Sequence, residues 1–252
     1  MPAQWKHSLR HVLGEQSLGA VLRRTMPVLW KVLKGCFPNN GGTPIFKEHA
    51  LAHTLLDGLR GVELGPSAGN PFGLQTLNLS HPENIGFYRD SDRQEFRVDP
   101  PRIDVWATGD ILPFKDRSQD FVLSSHVVEH LPNVIMAFLD WNRIVRHDGY
   151  VFMIVPLKGA LLADADRELS PLEHFIQDYR SAITLETHPT DDVPGGRSGH
   201  YHTFSPDSLA EIVSWMNATG LCRWELAARE DVDSKVGNGF TLVYRVKHAD
   251  PA

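Results

Sequence analysis

The apolar residues of this chain fall into short runs and into stripes with helical spacing, and the two kinds alternate along most of its length. Short runs bounded by turn-forming residues are typical of strands. Stripes with apolar residues three or four positions apart are typical of helices that bury one face. The predicted strands are 61–64, 76–79, 103–107, 121–125, 150–155, 224–228 and 240–246. The predicted helices are 49–59, 137–145 and 205–219, with a shorter helix that starts at 168–174.

The order of these elements predicts an α/β fold. Strands and helices alternate as they do in a parallel sheet with helices on both faces. The run 121–125 is apolar on both faces, as a central parallel strand must be. Ser205 and Pro206 are predicted to begin the last helix, and Gly220 is predicted to end it.

The stretch 61–73 carries the strongest local signal for a bound ligand. An apolar strand ends in Glu63, and a glycine turn and a predicted helix start at Pro71 follow. Gly65 and Gly69 are predicted to take positive φ angles and to let a ligand approach the backbone. The spacing differs from the G-x-G-x-x-G of dinucleotide-binding turns. A carboxylate at this strand end repels phosphate and accepts hydrogen bonds from an ammonium group.

Two further segments are distinguished by their pattern. The pattern of residues 1–44 predicts a basic, amphipathic helical extension at the N-terminus. We expect it to cover its own domain or a partner subunit, with binding to a membrane surface as the alternative. The loop residues 38–44 predict the boundary with a main domain at 45–252. Residues 157–204 have poor periodicity and predict a functional insert.

Composition narrows the class of protein. The 252 residues are enough for one large domain, and 42% hydrophobic and 22% charged residues are ordinary for a globular protein. A net charge of -6 argues against a general nucleic-acid binder. Cys36 and Cys222 form neither a disulfide framework nor a zinc pattern. The chain shows no signal peptide and no apolar run long enough for a membrane span, so we expect a cytoplasmic protein.

Histidines and an acid follow the predicted strand 121–125. His126, Glu129 and His130 stand at i, i+3 and i+4, and they share one face if a helix starts there. The order H-x-x-E-H also occurs in inverted zinc proteases, but the preceding strand and Pro132 argue against the long helix that those enzymes need. The three groups predict a general base or a divalent-cation site, with packing of the loop as the alternative.

A second histidine group lies in the insert. His200 and His202 alternate in a segment that is predicted to be extended, so their side chains are expected to point the same way. They can bind a cation, act as a base or be solvated loop residues. His188, Asp191 and Asp192 lie upstream and could complete a metal site, although the spacing does not require one.

Two motifs together resemble the class I S-adenosylmethionine-dependent methyltransferases of the type 11 group. The first is E-x-G-x-S-x-G at 63–69, and the second is D-x-L-P-F at 110–114 followed by S-x-D-F-V at 118–122. The resemblance implies a Rossmann-like, seven-stranded, mostly parallel sheet with an antiparallel last strand, and S-adenosyl-L-methionine as cofactor. It implies that Asp110 accepts a hydrogen bond from the adenine amino group. The cofactor-binding residues that it assigns are Glu63, Gly65, Pro66, Ser67, Asn70, Asp110, Ile111 and Ser125.

The ribose site departs from the pattern of that family. Its second strand usually ends in an acid that holds both ribose hydroxyls, whereas this chain has Asn78, Leu79 and Ser80, with Asp90 and Asp92 further on. An amide or hydroxyl would hold the ribose more weakly than a carboxylate. The ribose-binding residue is therefore not assigned, and the departure favours a catalytically inactive binding module as an alternative.

The longer pattern resembles methyltransferases that modify sugars and polysaccharides. It adds R-E-L-S-P-L-E-H at 167–174 and H-Y-H-T-F-S-P at 200–206. The resemblance implies methyl transfer to a hydroxyl of a small molecule, in particular a sugar or oligosaccharide, at a site built by the insert. Such a reaction needs a base. The predicted catalytic residues are His126, Glu129, His130 and His202, with Mg²⁺ as an optional second cofactor.

The same motifs are also compatible with an enzyme that methylates nitrogen or carbon instead of oxygen. An N- or C-methyltransferase of a small metabolite depends less on a base, and changing His130 to Ala would leave its rate nearly intact. A homodimer is compatible with the six tryptophans and the amphipathic N-terminus.

Overall fold

The structure, a computed structural model, describes residues 46–81, 92–160, 164–188 and 199–248. The predicted extension 1–44 lies outside the described residues, as do Asp90, Asp191, Asp192 and the side chain of Asp92. The described strands are β1 (Arg60–Leu64), β2 (Gln75–Ser80), β3 (Val105–Trp106), β4 (Gln119–Ser125), β5 (Val145–Pro156), β6 (Trp224–Glu230) and β7 (Gly239–Val246). The described α-helices are α1 (Ala50–Leu56), α2 (Val134–Ile144), α3 (Leu172–Arg180) and α4 (Pro206–Ala218).

The seven strands form one sheet in the order β3-β2-β1-β4-β5-β7-β6. β1 pairs in parallel with β2 and β4, β2 with β3, and β4 with β5. β7 is antiparallel to both β5 and β6, so among the described strands it runs against the other six. The predicted mixed sheet with helices on both faces is therefore confirmed.

The central strands are buried on both faces because their alternate residues point to opposite sides of the sheet. On β4, Val122 joins a large apolar cluster with residues of α2 and α4. Phe121 and Leu123 join a second cluster on the other face, where α1 contributes Ala52 and Leu56. The helices thus cover the two faces of one sheet.

The connection from β1 to β2 differs from the prediction. Residues 65–74 are described and none is helical, so the helix start predicted at Pro71 is wrong. The segment is short, and Gly73 has a φ of 69°, which breaks any helix there. Phe72 from this segment packs with Leu56 of α1 and covers that face of the sheet.

Helix α4 begins and ends where the sequence predicts. The Ser205 hydroxyl accepts a hydrogen bond from the Ser208 backbone N–H (3.1 Å), and the Ser208 hydroxyl accepts one from the Ser205 N–H (2.9 Å). This reciprocal pair is a capping box. Gly220 follows the helix with a φ of 74°. The buried face consists of Leu209, Ile212, Val213 and Met216.

Helix α2 holds the loop after β3 in place. The indole Nε1 of Trp141 donates to the Gly109 carbonyl (2.7 Å), and the Asp140 carboxylate accepts from the Leu112 N–H (2.7 Å). Arg143 donates to the Leu112 carbonyl (2.9 Å). These bonds position the residues around 110–114 at the carboxyl end of the parallel strands.

The described part of the predicted insert 157–204 consists of α3, an isolated bridge between Leu157 and Phe204, and otherwise turns and irregular structure. None of the described helices is both long and apolar enough to cross a membrane.

Candidate active site

The predicted cofactor residues lie at the carboxyl ends of β1 and β4 and in the loop after β3. In open α/β sheets this edge is where ligands bind, because the loops diverge there and leave a crevice. Gly65 takes the predicted positive φ (63°), and its N–H donates to the Leu79 carbonyl (2.9 Å). The turn therefore leaves β1 sharply and stays tied to β2.

The backbone conformation of Gly69 differs from the one predicted. Its φ is not positive, and a Cβ there would collide with the ring of Phe96. The missing side chain thus makes room for an aromatic ring of the protein, which lies against the turn. The positive φ predicted for this glycine is wrong, and the approach of a ligand to its backbone stays a prediction.

The rest of the turn is held by hydrogen bonds between residues two or three positions apart. The Ser67 hydroxyl accepts from the Gly69 N–H (3.2 Å), and the Asn70 N–H donates to the Ser67 carbonyl (3.2 Å). The Asn70 side-chain oxygen is buried and has no hydrogen-bond partner among the described residues. Such an oxygen is available to a polar ligand group, because a buried acceptor without a partner is costly.

Glu63 is only 8% exposed at the end of β1. Burial raises its pKa to about 7, against the opposing effects of Lys235 and of the Thr76 hydroxyl, which donates to it (3.3 Å). Lys235 comes from the loop between β6 and β7, donates to the Asn70 carbonyl (3.1 Å) and lies over the Phe72 ring. Sequence reasoning missed Lys235, since nothing in the local pattern of residues 231–239 links it to the glycine turn.

The loop after β3 fits an adenosyl group. Asp110 is half-buried, and the adjacent Ile111 side chain is 71% exposed although it is apolar. A carboxylate beside an exposed apolar side chain suits the amino edge and the face of adenine. Ser125 ends β4 and is half-buried at the same edge of the sheet. Together with the Asn70 oxygen, these residues match the chemistry of the expected cofactor.

The side-chain amide of Asn78, the residue at the expected ribose position, already has hydrogen-bond partners within the protein. Its amide nitrogen donates to the Arg102 carbonyl (3.0 Å), and its amide oxygen lies 3.2 Å from the Thr76 hydroxyl, whose single proton it shares with Glu63. These contacts weigh against a direct replacement of the family's acid by Asn78. The ribose-binding residue stays unassigned.

Glu129 is fully buried in a single 3₁₀ turn, Val128–His130, that follows β4. The long helix of an inverted zinc protease is therefore excluded. One carboxylate oxygen, Oε1, lies 3.8 Å from His126 Nδ1, 3.9 Å from His130 Nε2 and 3.9 Å from His200 Nε2. Neither oxygen has a hydrogen-bond partner among the described residues. Burial raises the pKa of Glu129 to about 8, so the acid is protonated at neutral pH.

A hydrogen bond fixes the tautomer of His130, and Nε2 is the ring nitrogen that faces Glu129. Its Nδ1 donates to the Gly199 carbonyl (2.7 Å), which places the proton on Nδ1 and leaves the lone pair on Nε2. Burial and the neighbouring His200 lower the pKa of His130 to about 4. The His130 side chain is still 39% exposed among the described residues, whereas the Glu129 side chain is 1% exposed.

His200 is positioned by two residues that sequence reasoning did not single out. Its Nδ1 donates to the Asp164 carboxylate (2.5 Å). Arg167 donates to the same carboxylate (2.9 Å) and to the carbonyls of His200 (2.9 Å) and Tyr201 (2.7 Å). Asp164 and Arg167 lie far from His200 in the sequence, so only the fold reveals the pair.

His202 does not join this group. The chain bends at Tyr201, so the expectation that His200 and His202 point the same way is wrong. His202 Nε2 donates to the Leu131 carbonyl (3.0 Å), and its ring packs against those of Phe175 and His174. The structure thus brings together His126, Glu129 and His130 with His200, and it places His202 in a neighbouring cluster.

Part of the chain matches a known family of protein domains. A family model described as a methyltransferase domain matches residues 89–153, about a quarter of the chain. This match supports a methyltransferase as the class of enzyme. The sheet order of this methyltransferase, with its antiparallel β7, is that of the class I fold, which uses S-adenosylmethionine. No curated protein matches the sequence.

Solved structures resemble the methyltransferase at low identity. A SAM-dependent methyltransferase from Aquifex aeolicus is 13% identical, with a TM-score of 0.42 over 89% of this chain and 92% of that chain. A SAM-dependent methyltransferase from Methanosarcina mazei is 14% identical, with a TM-score of 0.46 over 80% of this chain and 99% of that chain. The putative methyltransferase that forms a complex with the Trm112 activator in Haloferax volcanii is 14% identical, with a TM-score of 0.44 over 79% and 90%. These likenesses give no information on the acceptor.

Proposed function

We propose that the protein is an O-methyltransferase that acts on a hydroxyl of a small molecule, with a sugar or oligosaccharide as the acceptor. The observation that carries the proposal is the buried Glu129 surrounded by imidazoles at the carboxyl end of β4. Methyl transfer requires an acceptor aligned for in-line attack, and a hydroxyl acceptor must also lose its proton. A cluster of imidazoles and an acid beside the cofactor edge supplies a route for that proton.

The residues at the ends of β1 and β3 would hold the cofactor. Asp110 would accept from the adenine amino group, and Ile111 would cover the ring. Glu63 and the turn 65–70 would face the amino-acid portion, where a carboxylate and an acceptor oxygen suit an ammonium group. S-adenosylmethionine supplies a methyl group that is already activated by its sulfonium. The protein therefore has to orient the acceptor, exclude water and accept a proton.

In this proposal His130 Nε2 takes the hydroxyl proton. The acceptor oxygen forms a bond to the methyl carbon, the sulfur–methyl bond breaks, and the hydroxyl proton moves to Nε2. The imidazolium that results lies 3.9 Å from Glu129, where a positive charge favours the ionised carboxylate. The products are a methyl ether, S-adenosylhomocysteine and a proton, which leaves through the partly exposed side chain of His130.

Support for a sugar acceptor comes from the groups that surround the cluster. They are imidazole and carboxyl groups, which form hydrogen bonds with hydroxyls. The acid–histidine groups found among the described residues are rich in imidazole. Imidazole suits transition metals better than it suits Mg²⁺, so we do not include Mg²⁺ in the mechanism. The cytoplasmic location and the homodimer stay predictions.

The test combines cofactor binding with product analysis. Calorimetry with S-adenosylmethionine should give a binding signal, and labelled cofactor should transfer methyl to a sugar hydroxyl in a panel of sugars, phenols and amines. His130→Ala should lower kcat by about 10²–10⁴-fold, as the loss of a general base does. His147→Ala is the matched control, because His147 is half-exposed near the start of β5, where it hydrogen-bonds the His248 N–H. A methylated nitrogen or carbon, or a His130→Ala rate near that of the wild type, would overturn O-methylation.

A further inference from the structure

A second cluster of side chains lies next to the group formed by His126, Glu129, His130 and His200. Its members are His174, Asp178, His188 and His202. One ligand atom from each lies within 4.8 Å of the other three. His174 and Asp178 stand at i and i+4 on α3 and so share a face of that helix. His188 follows α3, and His202 precedes α4, so the fold gathers the four from separate parts of the insert.

His202 has the orientation of a metal ligand. The side chain is 1% exposed, and the bond from Nε2 to the Leu131 carbonyl places the proton on Nε2. Nδ1 therefore carries a lone pair, and it is buried with no hydrogen-bond partner among the described residues. Metal-binding histidines typically donate their other ring N–H to a carbonyl or carboxylate in this way, which fixes the ring and its tautomer.

Asp178 contributes a second buried donor atom for a metal. The residue is 6% exposed, and its Oδ2 has no hydrogen-bond partner among the described residues, although it lies 3.3 Å from His174 Nε2. The ring of His188 lies 5.5 Å from that of His202 and 6.1 Å from that of His174. Three imidazoles and one carboxylate are thus crowded together, and two of the ligand atoms, His202 Nδ1 and Asp178 Oδ2, are buried without a hydrogen-bond partner among the described residues, which costs free energy.

We propose that His174, Asp178, His188 and His202 bind one Zn²⁺. Imidazole nitrogens and a single carboxylate suit zinc, whereas Mg²⁺ and Ca²⁺ are bound mainly by oxygen ligands. Four protein ligands complete a tetrahedral site, which is the arrangement of structural zinc. Zn–N bonds of about 2.0–2.1 Å place tetrahedral ligand atoms roughly 3.4 Å apart, so small side-chain rotations close the site.

The bound zinc would hold the segment that presents His200. The N–H groups of Tyr201 and His202 both donate to the backbone carbonyl of Glu129 (2.8 and 3.4 Å), so the backbone of the zinc site is bonded to that of Glu129. The four ligands are then positioning residues. This link to catalysis rests on the proposed function, whereas the metal site itself does not.

The test measures metal content in the complete chain, expressed without a histidine tag in zinc-supplemented medium and then dialysed. Elemental analysis should find about one zinc per chain. His202→Ala and Asp178→Ala should lower the zinc content at least tenfold. His130→Ala and His147→Ala should retain it, and His130→Ala separates this site from the neighbouring group of Glu129, His130 and His200.

A second measurement covers variants that fail to fold. The wild-type protein is stripped with a chelator and titrated with Co²⁺, whose tetrahedral complexes absorb visible light strongly. We expect saturation at one equivalent, a lower melting temperature for the stripped protein, and recovery with Zn²⁺. Absence of both zinc and the cobalt absorption overturns the proposal, as does zinc that persists in His202→Ala and Asp178→Ala but is lost in His130→Ala. These readouts need no acceptor, so failure of the zinc site and failure of O-methylation are distinguishable.

Discussion

At the residue scale, Glu129 works against the stability of the fold. It is fully buried, and its pKa lies near 8 where an ordinary glutamate has 4.5. Between these values the folded chain keeps a proton that the unfolded chain releases, so stability falls as the pH rises from about 4.5 to 8. Strongly shifted acids that cost stability concentrate at functional sites.

Glu129→Gln should therefore separate stability from activity. At pH 8 the substitution should raise the free energy of unfolding by about 2 kcal/mol, less than the ~4 kcal/mol that the pKa shift alone implies, because the buried amide also lacks partners. The gain should shrink at pH 5, where the wild-type acid is protonated in the folded state and about a quarter protonated in the unfolded one. Denaturant titration at both pH values checks this, and kcat should fall in parallel. Glu168→Gln, an exposed acid of the same insert, should change neither quantity.

Asp233 shows the opposite behaviour. Burial opposes its ionisation, but hydrogen bonds from His49 and from the backbone of residues 235–237 outweigh it and lower the pKa to about 2. The stability that this carboxylate contributes is present above the unfolded pKa near 4, and it is lost as the pH falls through about 2.

Asp233→Asn should cost about 2 kcal/mol at pH 7, and the difference from wild type should narrow as the pH drops below 4. Urea titrations across that range measure it. Asp231→Asn is the control, because Asp231 is largely exposed in the same loop. An equal loss in the two variants at pH 7 would contradict the assignment.

At the element scale, the ends of α4 rest on local chemistry. Ser205→Ala removes the hydroxyl that caps the Ser208 N–H and should destabilise the protein by about 1 kcal/mol. Ser214→Ala is the matched control, because Ser214 lies in the interior of the same helix and bonds only one turn back, to Ala210. A thermal or urea denaturation comparison checks both. A loss for Ser214→Ala that equals the loss for Ser205→Ala would argue against the cap.

The glycine turn is an element whose shape depends on a ring from another segment. Gly69→Ala should cost about 1–3 kcal/mol through overpacking against Phe96, and it should weaken binding of S-adenosylmethionine. Phe96→Ala should relieve part of that cost in the double variant, so the two substitutions should be non-additive. Calorimetry and denaturation of the two single variants and the double variant complete the cycle. Additive effects would show that the ring does not constrain the turn.

At the scale of the whole molecule, one sheet with two apolar clusters organises the described domain. β4 and β5 are paired on both sides and buried on both faces, whereas β6 pairs only with β7 and leaves much of its surface exposed. The elements with the most burial should open only in global unfolding.

Hydrogen exchange should follow this gradient. The backbone amides of β4 and β5 should exchange last, at rates set by global unfolding, and those of β6 should exchange sooner. Mass spectrometry of exchanged peptides under native conditions measures the order. Faster exchange in β5 than in β6 would contradict the described sheet.

The predicted elements agree with the structure where the local pattern is sufficient. The apolar run at 121–125 forms the central strand β4, and the run at 240–246 forms β7, next to one edge of the sheet. The capped helix after Ser205 formed as expected, because burial and capping act over a few residues. The helix start predicted at Pro71 did not form, since ten residues that must rejoin a neighbouring parallel strand leave no length for one. The strand predicted at 103–107 shortened to Val105–Trp106 at the edge of the sheet.

The candidate site also has a part that the local sequence predicts and a part that only the tertiary structure shows. The sequence alone predicts the acid–histidine motif after β4 and the glycine turn after β1, because the residues of each motif lie close together along the chain. It does not predict the pairing of His200 with Asp164, the approach of Lys235 to the glycine turn or the meeting of His202 with α3. They join residues from separate elements, and periodicity along a chain carries no record of which distant side chains the packed sheet brings within a few ångströms.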